Sequence, residues 1–205
     1  MSTIAARNKV ASAAPRSVEM IRAASPVTDQ PVIESFRLLA LNVNSLLTEQ
    51  NDRSVVLISA RADAGRSLVA ASLAAALAEV CHRVLLVKAD PIGADNGFER
   101  FLDESSIGPG WLRVVDCSSH AKRSHAAFMW HIFDTVAEGL AQQATVVVDP
   151  PACTASTVAF QLAPRMGGVL YLARRQIEDV SIHHDIRAQL DLLGARVLGV
   201  VFNEA

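Results

Sequence analysis

The sequence predicts an α/β fold, a doubly wound and mostly parallel sheet with helices on both faces. Short apolar runs typical of buried strands recur along the chain, among them RVLLVK, TVVVD and GVLYLA. They alternate with segments of ten or more residues whose apolar positions repeat at helical spacing, which is the pattern of βαβ crossovers. With 51% of its 205 residues apolar, the chain can bury the core that such a sheet requires.

Each element is assigned from its own pattern. Short continuous runs of aliphatic residues predict strands, and apolar residues three and four positions apart predict helices. The expected strands are Val55–Ile58, Arg83–Lys88, Leu112–Val115, Thr145–Asp149, Gly168–Ala173 and Arg196–Phe202. The expected helices are Glu34–Glu49, an Ala- and Leu-rich segment ending at Val80, Ala126–Gln143, Ala155–Pro164 and Val180–Leu193.

The chain divides into an arm and one domain. Residues 1–30 mix Ala, Ser, Pro and Arg without sustained periodicity, which predicts a flexible arm with a short helix around Val18–Ala23. Residues 31–205 show no internal repeat, so we expect a single domain. The helix Glu34–Glu49 precedes the first strand and is expected to pack either on this domain or against another subunit. The stretch Asp90–Gly110 is expected to be loop-rich, with a helical turn at Phe98–Leu102.

Composition and charge exclude several functions. A net charge of −2 without blocks of like charge argues against a general nucleic-acid binder. The three cysteines are widely spaced and lack C-x-x-C spacing, which favours reduced thiols over a disulfide framework or a zinc site. No apolar run approaches the roughly 18 residues of a membrane span, and the N-terminus lacks a signal-peptide pattern. We therefore expect a cytoplasmic protein that reaches the inner membrane only through a partner.

A phosphate-binding loop is predicted between the first strand and the next helix. The P-loop pattern is G-x-x-x-x-G-K-[ST], in which backbone N–H groups and the helix N-terminus cradle phosphate oxygens. On this pattern Ala60 takes the place of the first glycine, and Gly65-Arg66-Ser67 align with G-K-[ST]. The candidate nucleotide-binding residues of the loop are Ala60, Ala64, Gly65, Arg66, Ser67 and Leu68.

Further candidates follow other strands of the predicted sheet, because ligands of open α/β sheets bind outside the carboxyl ends of the strands. Asp149 follows the run TVVV, where an aspartate completes a magnesium site with the loop hydroxyl, here Ser67. Asp90 follows the second strand as a second candidate catalytic carboxylate. Asn203 follows the last strand, where an ordinary turn-forming role explains it equally well.

Taken together, these motifs resemble the bacterial tyrosine kinases (BY-kinases) and their polysaccharide-biosynthesis relatives, within the MinD/ParA-like class of P-loop ATPases. The resemblance covers roughly residues 34–203. ESFRLLALN is similar to the family's E-A-F-R-x-L-R-x-N helix, VVVDPPA to its V-I-I-D-T-P-P segment, and LLGARVLGVVFN to its L-x-x-x-G-x-x-v-L-G-V-V-L-N ending. The resemblance implies a P-loop NTPase-type fold, ATP and Mg²⁺ as cofactors, and a role for Asn203 in reading the adenine base.

The chain departs from the family at three site positions. Arg66 replaces the lysine that reaches the phosphates, and Asp63 places a carboxylate where the family has a glycine. Lys88 stands where the family has an aspartate that helps to position magnesium. Lys88 either points to solvent or pairs with Asp149 or Asp90, and such a pair would fill the site in place of Mg²⁺-ATP.

These departures predict a degenerate BY-kinase-like protein that is catalytically inactive. The resemblance implies a role in exopolysaccharide or capsule biosynthesis and export, as the cytoplasmic partner or regulator of a membrane polysaccharide co-polymerase, chain-length or export protein. The alternative is an ATP-binding protein-tyrosine kinase or ATPase that keeps weak activity through Arg66 and Lys88.

Two family features related to self-assembly are changed. The ring-assembly motif E-x-x-R-x-x-R survives as Glu34 and Arg37 but has Ala40 at its third position. The family's tyrosine cluster has no counterpart, and the single tyrosine, Tyr171, is expected in the core. A homo-oligomer therefore stays an expectation from the family alone.

Overall fold

The computed structural model describes residues 19–21, 30–81, 83–90, 111–121, 124–174 and 180–203. The described residues form seven strands and five α-helices. In chain order these are β1 (Glu19–Ile21), α1 (Gln30–Thr48), β2 (Ser54–Ser59), α2 (Arg66–Cys81), β3 (Arg83–Lys88), β4 (Trp111–Asp116), α3 (His125–Ala141), β5 (Thr145–Asp149), α4 (Val158–Leu162), β6 (Gly168–Arg174), α5 (Val180–Leu192) and β7 (Val197–Asn203).

All seven strands belong to one sheet, in the order β1-β4-β3-β5-β2-β6-β7. The six strands from β2 to β7 run parallel, and β1 pairs antiparallel with β4 at one edge. Parallel neighbours need crossover connections, and these account for the alternation of strands and helices along the chain. The predicted fold class, a doubly wound and mostly parallel sheet, is confirmed.

Helices cover both faces of the sheet. The first face carries α1 and α2, which bury an Ala- and Leu-rich core that includes Val43, Leu47 and Leu73. The second face carries α3, α4 and α5, whose buried side chains include Ile132 and Leu162. Every residue of β2 and β5 is buried, because these two central strands are covered on both sides.

Helix α1 packs on its own domain rather than leaving that face to another subunit. Its buried residues Ala40, Val43 and Leu47 join the core that α2 helps to form. Arg37 links the two helices, since its Nε donates to Glu79 on α2 at 2.8 Å while Nη1 donates to Glu34 at 2.6 Å. The sequence left open which of the two surfaces α1 covers, and the structure places it on α2.

Two predicted helices differ from the structure. Residues 19–21 form a strand instead of the helix expected around Val18–Ala23, because the edge of β4 offers backbone partners that an isolated short helix lacks. The helix expected over Ala155–Pro164 is limited to Val158–Leu162 and continues as a 3₁₀ turn, Ala163–Arg165, that contains Pro164. The helical turn expected at Phe98–Leu102 lies outside the described residues.

Other expectations concern the chain as a whole. Among the described helices, none combines the length and the apolar character that a membrane span needs. Tyr171 is buried as predicted, and its hydroxyl lies 2.7 Å from Nδ1 of His183. The division into residues 1–30 and 31–205 stays a prediction.

Candidate functional site

The carboxyl ends of the central strands bring the predicted site residues to one end of the sheet. Lys88, the last residue of β3, is in register with Asp149 of β5 on one side and Asp116 of β4 on the other. The loop after β2 lies beside Asn203 at the end of β7. The predicted candidates therefore do form one cluster.

The loop between β2 and α2 has the strand–turn–helix form that the motif predicts. A 3₁₀ turn over Ala62–Ala64 ends at Gly65, which has φ of +78°, and α2 begins at Arg66. A Cβ atom on Gly65 would meet Nδ2 of Asn203, so this position combines a left-handed backbone that favours glycine with a close approach that the Asn203 side chain would have to relieve.

The first part of the loop is fixed by the segment after β5. The carbonyl oxygen of Ala60 accepts hydrogen bonds from the backbone N–H of Thr154 at 3.2 Å and from its hydroxyl at 2.7 Å. The N–H of Cys153 donates to the carbonyl of Ser59 at 3.0 Å. These bonds join the loop to the strand that carries Asp149, and sequence spacing gave no sign of them.

Arg66 occupies the centre of the cluster. Its side chain is 2% exposed, and its three guanidinium nitrogens each donate to a different side chain. Nε donates to Oδ1 of Asp149 at 2.6 Å, Nη2 to Oδ2 of Asp90 at 2.9 Å, and Nη1 to Oγ of Ser59 at 2.9 Å. We call these four residues, Ser59, Arg66, Asp90 and Asp149, the Arg66 network.

The Arg66 network lies where the motifs predict a magnesium site. Mg²⁺ needs carboxylate and hydroxyl oxygens with room for several water molecules around it. Here Asp149, buried with 2% of its side chain exposed, and Asp90 already face a cation of their own chain at hydrogen-bond distance. Among the described residues, no three His, Cys, Asp or Glu side chains converge into a metal-binding group. The residues as arranged do not fit Mg²⁺.

The cation that pairs with the site carboxylates is Arg66. For Lys88 the sequence leaves open a position toward solvent or a pair with Asp149 or Asp90, and the structure shows Arg66 in contact with both carboxylates. Nζ of Lys88 lies 3.9 Å from Oδ2 of Asp116 on the adjacent strand. Arginine is longer than lysine and presents several donors in a planar fork, which lets Arg66 bridge carboxylates that follow two different strands.

Asp63, which stands where the related family has a glycine, fits the loop without a special backbone conformation. Its backbone is not left-handed, because that conformation falls on Gly65. Its carboxylate, about half exposed, lies 3.2 Å from Nε of Arg61 and 3.7 Å from Nη1 of Arg174. The negative charge thus faces two arginines at the outer side of the loop.

The remaining predicted residues line the loop. Asn203 donates through Nδ2 to the carbonyl oxygen of Ala64 at 2.9 Å, so its amide packs on the loop backbone. Ala60 and Ala64 are buried, and Ser67 and Leu68 are half-buried in the first turn of α2. Residues that the sequence did not single out are Ser59, Thr154 and Asp116, and the register of β3 with its neighbours is the signal that explains Asp116.

Cys153 lies close to the network without a reactive thiol. Burial raises its pKa to about 12, although the nearby charge of Arg66 lowers the pKa in part. A thiol with this pKa stays protonated at neutral pH and is a poor nucleophile. The site therefore contains a buried cation–carboxylate cluster and no activated nucleophile among the groups described above.

Known proteins that are similar to this chain include tyrosine kinases. No protein-family model matches the chain. The chain is 28% identical to a putative tyrosine-protein kinase EpsB of Ralstonia nicotianae, over 86% of this chain and 26% of that protein. It therefore spans about a quarter of the length of this curated relative.

Solved kinase domains share the fold. The kinase domain of the Escherichia coli tyrosine kinase ETK superposes with a TM-score of 0.68 at 19% identity, covering 91% of this chain and 82% of that one. The kinase domain of VpsO gives a TM-score of 0.61 at 18% identity, covering 86% and 97%. At these identities the structures establish the fold alone, which this chain shares with the two kinase domains. The resemblance to BY-kinases predicted from the sequence is confirmed.

Proposed function

We propose that this chain is a BY-kinase-like module that does not transfer phosphate and acts as a partner or regulator of a membrane polysaccharide co-polymerase, in exopolysaccharide or capsule biosynthesis and export. The observation that carries the proposal is the Arg66 network, in which the chain's own cation holds the carboxylates of Asp149 and Asp90. The polysaccharide setting, the cytoplasmic location beside the inner membrane and the membrane partner come from the family resemblance of the motifs.

The energetics of the network support an inactive site. Mg²⁺-ATP would have to separate the Arg66 guanidinium from two carboxylates in surroundings where Arg66 and Asp149 are each 2% exposed. Removing one partner from a buried ion pair costs about 3–5 kcal/mol. Such a cost lowers affinity by roughly a hundredfold to a few thousandfold, which places a micromolar site in the millimolar range.

Isothermal titration of the full chain with ATP and with ADP, each with and without Mg²⁺, tests the proposal. We expect no saturable heat up to millimolar nucleotide in any of the four titrations. Micromolar binding that strengthens with magnesium would contradict an inactive site and would direct the search to a protein substrate.

A pair of substitutions tests whether the network is the cause. Lysine at position 66 restores the family residue but loses at least two of the three bonds of Arg66, and aspartate at position 88 restores a carboxylate. We expect Arg66→Lys and Lys88→Asp each to give no heat of nucleotide binding in the titration, while the double variant gains magnesium-dependent nucleotide binding. Nucleotide binding by the single variant Arg66→Lys would show that Lys88 does not contribute to the loss of nucleotide binding.

The alternative function is a weak tyrosine kinase or ATPase that uses Arg66 and Lys88. The observation in its favour is the intact loop frame, with Gly65 left-handed and Ser67 in the first turn of α2. This alternative requires Arg66 to leave the network when nucleotide binds. It predicts slow hydrolysis of radiolabelled ATP, or slow transfer of its label to an added tyrosine-containing protein, that Asp149→Asn abolishes, whereas the inactive module does neither.

A further inference from the structure

The outer edge of β4 is covered by a strand that is remote from it in sequence. Residues 19–21 pair antiparallel with β4, in the register Glu19 to Val114, Met20 to Arg113 and Ile21 to Leu112. The other side of β4 pairs with β3 over all six of its residues. Strand β1 is thus the outermost strand at this end of the sheet, and it satisfies backbone groups of β4 that would otherwise be unpaired.

The pairing of β1 with the sheet is short. Only three residue pairs join it to β4, and each ordered residue of a strand costs conformational entropy that its few hydrogen bonds offset only in part. Detachment of β1 therefore costs less free energy than detachment of a strand in the middle of the sheet.

The edge beneath β1 has few of the features that keep sheet edges from pairing with other chains. Segment 111–116, WLRVVD, contains no proline and no lysine. Its two charged side chains are engaged within the subunit: Nη1 of Arg113 lies 3.4 Å from Glu138 on α3, and Asp116 accepts the N–H of Ser118 at 2.8 Å. Strand β4 without β1 would be an exposed edge rich in β-forming residues.

We propose that β1 is a removable cover of the sheet edge and that its release lets β4 pair with β4 of a second copy of this chain. The orientation supports this partner, because two copies related by a twofold axis perpendicular to the sheet present their β4 strands antiparallel. This is the orientation in which β4 already accepts β1. The interaction surface is the backbone edge of residues 111–116, and it does not depend on the Arg66 network.

Proline substitutions in the full chain test the proposal. Proline lacks the N–H that a strand donates, and adjacent strand residues point their N–H groups in opposite directions, so Met20→Pro/Ile21→Pro removes one donor to β4 in either register. The control Met20→Ala/Ile21→Ala keeps the backbone donors. Sedimentation velocity and amide hydrogen exchange of segment 111–116 are measured over a hundredfold range of protein concentration.

We expect the proline variant to dimerise more than the unchanged chain and the alanine control at equal concentration. The amides of segment 111–116 that point away from β3 should exchange at least tenfold faster than those of the control at low concentration and regain protection as dimers form. Unchanged exchange of 111–116 in the proline variant would show that β1 is not the cover. Fast exchange without added dimer at any concentration would show that the edge does not pair with itself. The single variants Met20→Pro and Ile21→Pro repeat the test if the double variant does not fold.

Discussion

At the scale of single residues, Arg66 pairs with the two carboxylates of the site, and we expect it to contribute to the stability of the fold as well. Its guanidinium compensates the carboxylate of Asp149, and both side chains are 2% exposed. Arg66→Ala would leave that carboxylate buried without its cation, so we expect a loss of about 3–5 kcal/mol in the free energy of unfolding, measured by urea denaturation at pH 7. Arg61→Ala is the matched control, because Arg61 is 57% exposed and pairs only at the surface, where we expect about 0–1 kcal/mol. Equal losses from the two variants would contradict a structural role for the network.

Gly65 is the second residue whose identity the site geometry dictates. Among the described residues, two glycines have left-handed backbones, Gly65 with φ of +78° and Gly194 with φ of +69°, but only Gly65 has a neighbour, Nδ2 of Asn203, in the space of a Cβ atom. We expect Gly194→Ala to cost about 1–2 kcal/mol of unfolding free energy from backbone strain alone. Gly65→Ala should cost more, and Asn203→Ala should recover part of that excess in a double-mutant cycle. A Gly65→Ala variant as stable as Gly194→Ala would show that the Asn203 contact is easily moved.

At the scale of elements, the packing of α3 against the 3₁₀ turn Ser118–His120 predicts a dependence of stability on pH. The rings of His120 and His131 stack with centroids 3.7 Å apart. Burial is the larger cause that lowers the pKa of His131, and the neighbouring His120 lowers it further, while Asp134 opposes the shift. A base with a lowered pKa binds fewer protons in the folded state than in the unfolded state. Stability is therefore complete above the unfolded pKa, near 6.5, and falls as the pH decreases below it.

Replacing this ring tests the pH effect. We expect His131→Gln to flatten the decline of unfolding free energy between pH 7.5 and pH 5, measured by urea denaturation at half-unit steps. The decline removed should be about 1.4 kcal/mol for each unit by which the pKa differs between the folded and unfolded states. His184→Gln is the control, since His184 is exposed on α5. A decline that His184→Gln removes equally would assign the effect to histidines in general.

The elements also show which parts of the fold local sequence can predict. Strands β3 and β5 begin and end at the predicted residues, because a strand buried on both faces leaves a continuous apolar run with polar residues at its ends. Strand β1 was missed because its stability depends on the β4 edge, which lies more than ninety positions away. Helix α4 is shorter than predicted, since the pattern did not show where Pro164 would turn the chain.

At the scale of the whole molecule, the candidate site also could be predicted only in part from the sequence. Its members could be predicted from their places after parallel strands, and the structure brings Arg66, Asp90, Asp149 and Asn203 to one end of the sheet. The ion pairs among these residues could not be predicted. Arg66 and Asp149 are 83 positions apart, and the predicted cluster contains two cations, Arg66 and Lys88, that could pair with the carboxylates. Which cation reaches the carboxylates depends on side-chain length and direction, which a linear pattern does not contain.

The Arg66 network also predicts how the whole chain responds to ligand. A ligand at a hundred times its dissociation constant stabilises the folded state by about 2.7 kcal/mol. For a chain of 205 residues this corresponds to a rise in melting temperature of roughly 5–11 °C. We expect 0.1 mM Mg²⁺-ATP, 0.1 mM Mg²⁺-ADP or EDTA to change the melting temperature of this chain by no more than about 1 °C, because the chain supplies its own cation to the site and a nucleotide bound only in the millimolar range would be far from saturation. The double variant Arg66→Lys/Lys88→Asp is the matched comparison and should melt higher with Mg²⁺-ATP than with EDTA. A magnesium-dependent rise of several degrees in the unchanged chain would mean that Arg66 yields the carboxylates to the metal, and the kinase-like alternative would then take precedence.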